Sequence, residues 1–161
     1  MREYSVGGGG LTLANQAVTA VFINPSATIG VEILRCWLGQ TGTATSAQQR
    51  VQTNTQVTAF PTLTSATPSK MSSLTDPTSG IAGGTAGAAG TCGINASAEG
   101  AGTKSNIISD TFNNLNGYLW VPTPREVIRL AAASASGFGL HLPVAPGSLT
   151  NWQAGVNFGE F

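Results

Sequence analysis

The residues that could carry out acid–base or metal chemistry are few in this chain. It contains a single histidine, His141, two cysteines and seven acidic residues. A zinc site needs three or four nitrogen, sulfur or oxygen ligands close together, and one histidine with the distant Cys36 and Cys92 does not suggest such a site. As a catalytic base, His141 would need a nucleophile and an orienting acid, and the sequence specifies neither. We therefore expect a solvent-facing strand histidine, no enzymatic activity, and no metal or other cofactor.

Two further patterns are typical of hydrolases and of phosphate-binding proteins. Glu32, Asp110 and Glu126 could form the carboxylate pair of a glycosidase, but their spacing singles out no pair. Residues 83–93 and 100–105 read GGTAGAAGTCG and GAGTKS, which superficially resemble phosphate-binding loops. A P-loop requires Gly-Lys-Ser/Thr at the start of a helix, whereas here a threonine separates the last glycine from the lysine and no helical period follows. We expect no small-molecule substrate.

Composition narrows the possible partners of the chain. Only 9% of its 161 residues are charged, against a usual figure of about 25%. Seven acidic residues balance seven basic ones, and the basic residues are scattered, so the sequence indicates neither disorder nor nucleic-acid binding. A monomer with so few charges would have little protection against association. We infer that much of its surface is covered by other chains.

No stretch of the sequence indicates a membrane span or export. No apolar run approaches the roughly 18 residues that a membrane helix needs, and the start, MREYSVGGGG, lacks the apolar segment of a signal peptide. We therefore expect synthesis in a cytoplasm, with no glycan on the Asn95-Ala96-Ser97 sequon. Cys36 is interpreted as a small buried hydrophobic residue, and a disulfide between Cys36 and Cys92 stays open.

The most apolar run of the chain is residues 29–40, IGVEILRCWLGQ, which we interpret as an interior strand. Apolar side chains occupy both its odd and its even positions, which predicts burial of both faces. A strand pattern precedes it at residues 17–24 and another follows at residues 48–57, with turn-forming residues at 24–26 and 41–46 between them. The sequence therefore predicts a three-stranded antiparallel meander over residues 17–59, with its third strand half open to water.

Short strand patterns resume after residue 105. GYLWV at residues 117–121 is one of them, and we interpret Tyr118 and Trp120 as core residues in preference to an exposed sugar-binding pair. Alternating apolar residues at 138–144 and 152–158 predict two more strands. The chain is thus predicted to be all-β, an antiparallel two-sheet sandwich of about eight strands, and in particular a jelly roll.

Two glycine-rich segments fall outside the predicted strands. Residues 1–15 contain four consecutive glycines and are predicted to form a flexible N-terminal arm, with residues 16–161 as the sandwich domain. The alternative is that the leucines at positions 11 and 13 pair as a first edge strand while the rest frays. Residues 81–102 are dominated by glycine and alanine and are predicted to form a long loop.

Three segments resemble small structural proteins encoded beside head genes in tailed phages and prophages. They are FINPSATIGVEILRCWLGQTGTATSAQQRVQ at 22–52, GGTAGAAGTCGINASAEGAG at 83–102 and LNGYLWVPTPREVIRL at 115–130. The resemblance implies a head-decoration (cement) protein, which sits as a homotrimer on the exterior of the virion capsid and braces the major capsid protein. Such a protein binds no nucleic acid, membrane or small molecule.

The low charge and the small residues of the predicted loop also favour close association between copies. Predicted contact residues lie in the N-terminal arm and in this loop: Arg2, Glu3, Tyr4, Gly83, Gly84 and Gly87. Other classes remain open. A head-fibre, tail or carbohydrate- or receptor-binding protein would expose aromatic side chains on one sheet or at loop tips, and a phage-borne hydrolase would cluster its acidic residues in a cleft.

Overall fold

The computed structural model describes residues 1–42, 45–85 and 87–161. Within these ranges the chain is all-β and has no helix, which confirms the predicted fold class. Eight of the thirteen strands have six or more residues, and the other five have two to four. The strands are β1 (Arg2–Leu11), β2 (Val18–Ile23), β3 (Val31–Gln40), β4 (Gln48–Val57), β5 (Thr62–Ser65), β6 (Ser69–Lys70), β7 (Ala82–Gly83), β8 (Thr91–Ala98), β9 (Thr103–Asn113), β10 (Tyr118–Trp120), β11 (Ile128–Leu130), β12 (Ser136–Leu142) and β13 (Trp152–Glu160).

The strands form two sheets that pack as a sandwich. Sheet A has the order β10-β3-β13-β1-β6, with β11 also paired to β3. Sheet B has the order β5-β8-β2-β12-β4-β9, with β7 paired to β8 in parallel and every other pair antiparallel. The first strands of the chain pair with the last in nested fashion: β1 with β13, β2 with β12, β3 with β11 and β10, and β4 with β9. This winding is compatible with the predicted jelly roll.

The core lies between the sheets and consists of one cluster of apolar side chains. Its largest fully buried members come from both sheets and include Tyr4, Phe22, Phe138, Trp152 and Phe158. The four predicted inward positions of β13 are confirmed, because Trp152, Ala154, Val156 and Phe158 are all fully buried. Tyr118 and Trp120 are half-buried and pack against this core, as the sequence predicts.

Apolar residues occupy both odd and even positions of β3, but not because both faces of the strand are buried, as predicted. Val31 and Ile33 are fully buried, but the inward positions then change to Cys36 and Leu38. The pairing with β13 skips Leu34, so this residue is a β-bulge and shifts the alternation by one position. Leu34 is consequently only half-buried. The strand is interior to its sheet, with one buried face and one partly open face.

The predicted meander over residues 17–59 is wrong. Its middle strand, β3, lies in sheet A, whereas β2 and β4 lie in sheet B on either side of β12. Consecutive strands therefore cross between the sheets, and each finds its hydrogen-bonding partner far along the chain. The predicted turn at 41–46 includes Thr43 and Ala44, which lie outside the described residues.

The predicted flexible arm over residues 1–15 is also corrected. Ten of these residues form β1, which pairs with β13 from Arg2 to Leu11 and with β6 at Tyr4 and Ser5. Leu13 is buried as well, and its amide donates to the carbonyl of Leu149. The segment belongs to the sandwich because its alternate side chains complete the inner face of sheet A.

The glycine- and alanine-rich segment 81–102 is more ordered than the predicted loop. It contains β7 and β8, and β8 pairs with both β2 and β5. Cys92, Ile94 and Ala96 of β8 are buried in the core. The small residues permit close packing within the chain, as shown for individual glycines below.

Candidate interaction surfaces

The three contact residues predicted near the N-terminus serve mainly to fix β1. Tyr4 is fully buried, its hydroxyl donates to the carbonyl of Pro77 at 3.0 Å, and its ring lies 5.7 Å from that of Phe158. Arg2 forms an ion pair with the buried Glu160 at 3.4 Å. Glu3 is half-buried, and its carbonyl accepts a hydrogen bond from the Met71 amide. Tyr4 therefore cannot contact a partner in the folded chain.

The three predicted contact glycines also pack against the chain itself. A Cβ atom on Gly83 would lie 2.6 Å from Ser65 Oγ, and one on Gly84 would lie 2.7 Å from Thr91 Cβ. Gly87 adopts a φ of +59° and lies against Phe60. These glycines allow β7 and the turns around it to approach β5 and β8, so their role within the chain is structural.

A buried polar cluster lies on the outer face of sheet B. The Glu99 carboxylate accepts hydrogen bonds from the amide and hydroxyl of Thr19 and from Lys104, and its Oε2 lies 3.3 Å from His141 Nδ1. Burial acts to raise the pKa of Glu99, but the hydrogen bonds from His141, Lys104 and Thr19 outweigh it and lower the pKa to about 2. His141 is only 6% exposed, so the prediction of a solvent-facing histidine is wrong.

The geometry of this cluster does not correspond to a nucleophile–base–acid triad. In a triad the histidine contacts the nucleophile and the acid through different ring nitrogens. Here Thr19 Oγ1 and Glu99 Oε2 both lie 3.3 Å from Nδ1 of His141. The Thr19 hydroxyl donates its proton to Glu99 at 2.7 Å and is buried. The cluster holds the turn before β9 against β2 and β12, and we assign it a structural role.

The other residues considered for chemistry lie apart. Glu32 on β3 pairs with Arg129 at 2.6 Å, Asp110 lies on β9 in the other sheet, and Glu126 accepts from the Thr123 hydroxyl. No group of three histidine, cysteine or acidic side chains that could hold a metal occurs among the described residues.

Both cysteines are free and buried, so the disulfide that the sequence left open is not formed. Burial raises the pKa of the Cys36 thiol and of the Cys92 thiol to about 12. Neither thiol is therefore a thiolate near neutral pH, and neither is prepared to act as a nucleophile or a metal ligand.

The outer edge of sheet B is formed by β9, whose pairing on one side only leaves its other edge open in the described part of the chain. Seven of its eleven residues are exposed, and its two charged residues, Lys104 and Asp110, leave the stretch between them uncharged. Ile107 is 45% exposed and is skipped in the pairing with β4, which makes it a β-bulge. Exposed edge strands are natural sites of association between chains.

A tryptophan lies across the outer face of sheet A. Trp37 of β3 pairs with Gly155 of β13, which in turn pairs with Gly7 of β1. A Cβ atom on Gly155 would lie 2.1 Å from Cζ2 of the indole, and one on Gly7 would lie 3.3 Å from the same atom. The two glycines therefore form the floor on which this ring rests. The guanidinium carbon of Arg35 lies 5.4 Å from the ring centroid.

Trp37 stands between two hollows of about 320 and 230 Å³, and Gln153 lines both of them. The larger hollow is bordered by β1 and the segment around β6, and the smaller by the turn before β10. None of the described residues that line either hollow carries a charge. The polar side chains at the two hollows are Ser5, Thr67, Ser69 and Gln153 at the larger one, and Asn116, Tyr118 and Gln153 at the smaller one.

No pattern in the sequence predicts this surface. The sequence pattern predicts that Trp37 lies on a strand buried on both faces, and the glycines beneath it are at distant positions in the sequence. Only the pairing of β3, β13 and β1 brings them together.

The described residues include no helix long and apolar enough to cross a membrane. The chain matches no protein-family model, no curated protein and no solved structure.

Proposed function

We propose that this chain is a structural protein of a tailed-phage virion, namely a decoration protein that stabilises the capsid lattice from outside as a homotrimer. The proposal rests on the resemblance of its three segments to small proteins encoded beside phage head genes. The fold supports it, because two-sheet sandwiches of the jelly-roll type include viral capsid domains as well as lectins. This is an argument by analogy of fold, and the surface of the molecule has to supply the rest.

The observation that carries the proposal is the open edge at β9. It offers a long, largely exposed strand with an exposed isoleucine and only two charged residues. The bulge at Ile107 interrupts the regular edge, so we expect side-chain packing around this residue instead of a continuous sheet between copies. A contact between β9 and a different surface of the next copy can close into a three-membered ring.

Copy number in virions tests this function. Particles would be purified from an induced lysogen or phage stock that carries the gene, and the chain would be counted against the major capsid protein by quantitative mass spectrometry. A decoration protein is expected at a copy number that follows the capsid lattice. The chain's absence from particles would contradict any virion role.

The same measurement separates the second candidate from the first. A tail, connector or head-fibre protein would be present at a few copies per particle, not at lattice stoichiometry. Electron microscopy of the particles with an antibody against the chain would then locate it on the head surface or on the tail.

A further inference from the structure

We propose that the outer face of sheet A is a carbohydrate-binding surface, with Trp37 as the stacking platform for a neutral sugar ring and the two flanking hollows as its subsites. This activity is separate from the proposed structural role and does not depend on it. It follows from how the ring is held, from the ring surface that stays exposed at the hollows, and from the chemistry of the groups that line them.

Both sheets place an aromatic ring over two glycines, but they cover the ring to different extents. In sheet B, Phe22 pairs with Gly139 and lies against Gly137. It is fully buried, because the ring of Phe60 lies 5.5 Å away and closes over it. In sheet A, Trp37 is half-buried: the guanidinium carbon of Arg35 lies over its ring, 5.4 Å from the centroid, and the two hollows border the ring. Trp37 therefore keeps exposed surface at the hollows, whereas Phe22 keeps none.

The indole is held in place before any ligand arrives. Three of its atoms lie within 2.6 Å of where a Gly155 Cβ would be, which places part of the ring directly over this glycine. Arg35 lies over the ring, and the Asn157 amide, oriented so that both its ends are satisfied, accepts from Arg35 Nε at 3.2 Å and Nη2 at 3.0 Å and donates to Ser5 Oγ at 2.9 Å. A rigid ring loses little entropy when a ligand stacks on it, which favours binding.

The groups around the ring favour a neutral sugar over other ligands. One face of a pyranose presents C–H bonds that pack on an aromatic ring, while its hydroxyls need neutral donors and acceptors at the rim. The hollows supply these through the Gln153 amide and through the hydroxyls and amide beside it. A phosphorylated or acidic ligand would require cations, whereas no described residue that lines the hollows is charged and Arg35, over the ring, already serves Asn157.

The volumes are also consistent with a small, open subsite. The larger hollow, at about 320 Å³, lies at the lower end of the range of roughly 300–1,000 Å³ that is typical of small-molecule sites. The smaller hollow continues on the other side of Trp37. This arrangement suits consecutive residues of an oligosaccharide on either side of one stacking ring.

An array of neutral oligosaccharides containing glucose, galactose, mannose and N-acetylglucosamine would identify the ligand. The best oligosaccharide would then be titrated into ¹⁵N-labelled protein while the indole N–H of Trp37 is followed by NMR. We expect Trp37→Ala to weaken binding about tenfold or more, equivalent to roughly 1.4 kcal/mol. Gln153→Ala, which removes an exposed side chain common to both hollows, should weaken it several-fold without affecting the fold.

Gln48→Ala is the matched control, because Gln48 is an exposed glutamine on β4 of the other sheet. It should bind like the wild type. The proposal is overturned if the array and millimolar titrations show no binding, or if Gln153→Ala and Gln48→Ala bind equally well. It is also overturned if Trp37→Ala abolishes self-association or capsid attachment while no sugar binds, because the face would then be a protein interface. Absence from virions would leave the sugar result unaffected.

Discussion

Ile33 shows how strongly single inward positions of β3 contribute to stability. Its side chain is fully buried between the sheets. We expect Ile33→Ala to lower the free energy of unfolding by about 2–5 kcal/mol, because the change removes buried apolar surface and leaves a cavity. Urea unfolding followed by circular dichroism would measure the loss.

Leu34→Ala is the control for this prediction. Leu34 is the bulged residue and is only half-buried, so its truncation should cost clearly less than that of Ile33. Equal losses for the two variants would indicate that both faces of the strand are buried, which is the interpretation that the structure corrects.

Glu99 gives the stability of the molecule a specific pH dependence. Its pKa falls from an ordinary value of 4.5 to about 2 in the folded chain. A depressed pKa means that the stabilisation is present above the unfolded pKa and is lost as the pH falls through the folded one. We therefore expect the contribution of Glu99 to decline between about pH 4.5 and pH 2.

Glu99→Gln tests this dependence. The variant should be less stable than the wild type at pH 7, and the difference between the two should shrink as the pH is lowered through that window. Glu126→Gln, which changes an exposed acid in a turn, is the control. If the wild type and Glu99→Gln lost stability in parallel on acidification, the carboxylate would not be held by its hydrogen bonds.

At the scale of residues, the sequence predicts many of the side chains that point into the core. The prediction fails in β3, where a β-bulge shifts the alternation. The apolar residues of β13 alternate without interruption in the sequence, and this pattern predicts its four inward apolar side chains. In β3 the bulge at Leu34 shifts the alternation, and a shift produces the same sequence pattern as a strand buried on both faces. A bulge depends on the partner strand, which the local sequence does not specify.

At the scale of elements, β1 is the clearest test of the structure. We expect deletion of residues 1–6 to destabilise the protein by on the order of 3–6 kcal/mol, because it exposes core that Tyr4 and Val6 cover. Thermal unfolding of the truncated chain would show the loss.

Two point variants separate packing from chain length in this test. Tyr4→Ala should reproduce much of the loss, whereas Glu3→Ala, on the opposite face of the strand, should have little effect. A truncated protein that melts like the full chain would restore the flexible-arm interpretation.

The four glycines of β1 account for the difference between the predicted arm and the observed strand. A run of glycines in isolation indicates flexibility. In the folded chain a Cβ on Gly7 would lie 2.6 Å from the Ala154 carbonyl oxygen, and one on Gly8 would lie 2.5 Å from Ile94 Cδ1. Gly7 and Gly8 are required by close approach to β13, Trp37 and β8, and Gly10 by its φ of +66°. Sequence reading cannot detect neighbours that come from distant parts of the chain.

At the scale of the whole molecule, fold class was predictable but strand pairing was not. Short alternating patterns separated by turn residues predicted an all-β sandwich. The predicted meander assumed that neighbouring strands pair, whereas β1 to β4 pair with strands from the second half of the chain. The interaction surfaces share this dependence, because both the Trp37 platform and the β9 edge arise from long-range pairing.

The association state is the last prediction, and it depends on the edge at β9. We expect light scattering to give three times the mass of the single chain, and Ile107→Lys to shift the protein to a monomer by placing a charge in the uncharged stretch of this edge. Ile107 is 45% exposed, so the variant should keep the melting behaviour of the fold. Val144→Lys, at a position 54% exposed beyond the end of β12, is the control and should remain trimeric. A wild type that is monomeric at micromolar concentration, or an Ile107→Lys variant that still forms trimers, would contradict the assignment of β9 as the contact between copies.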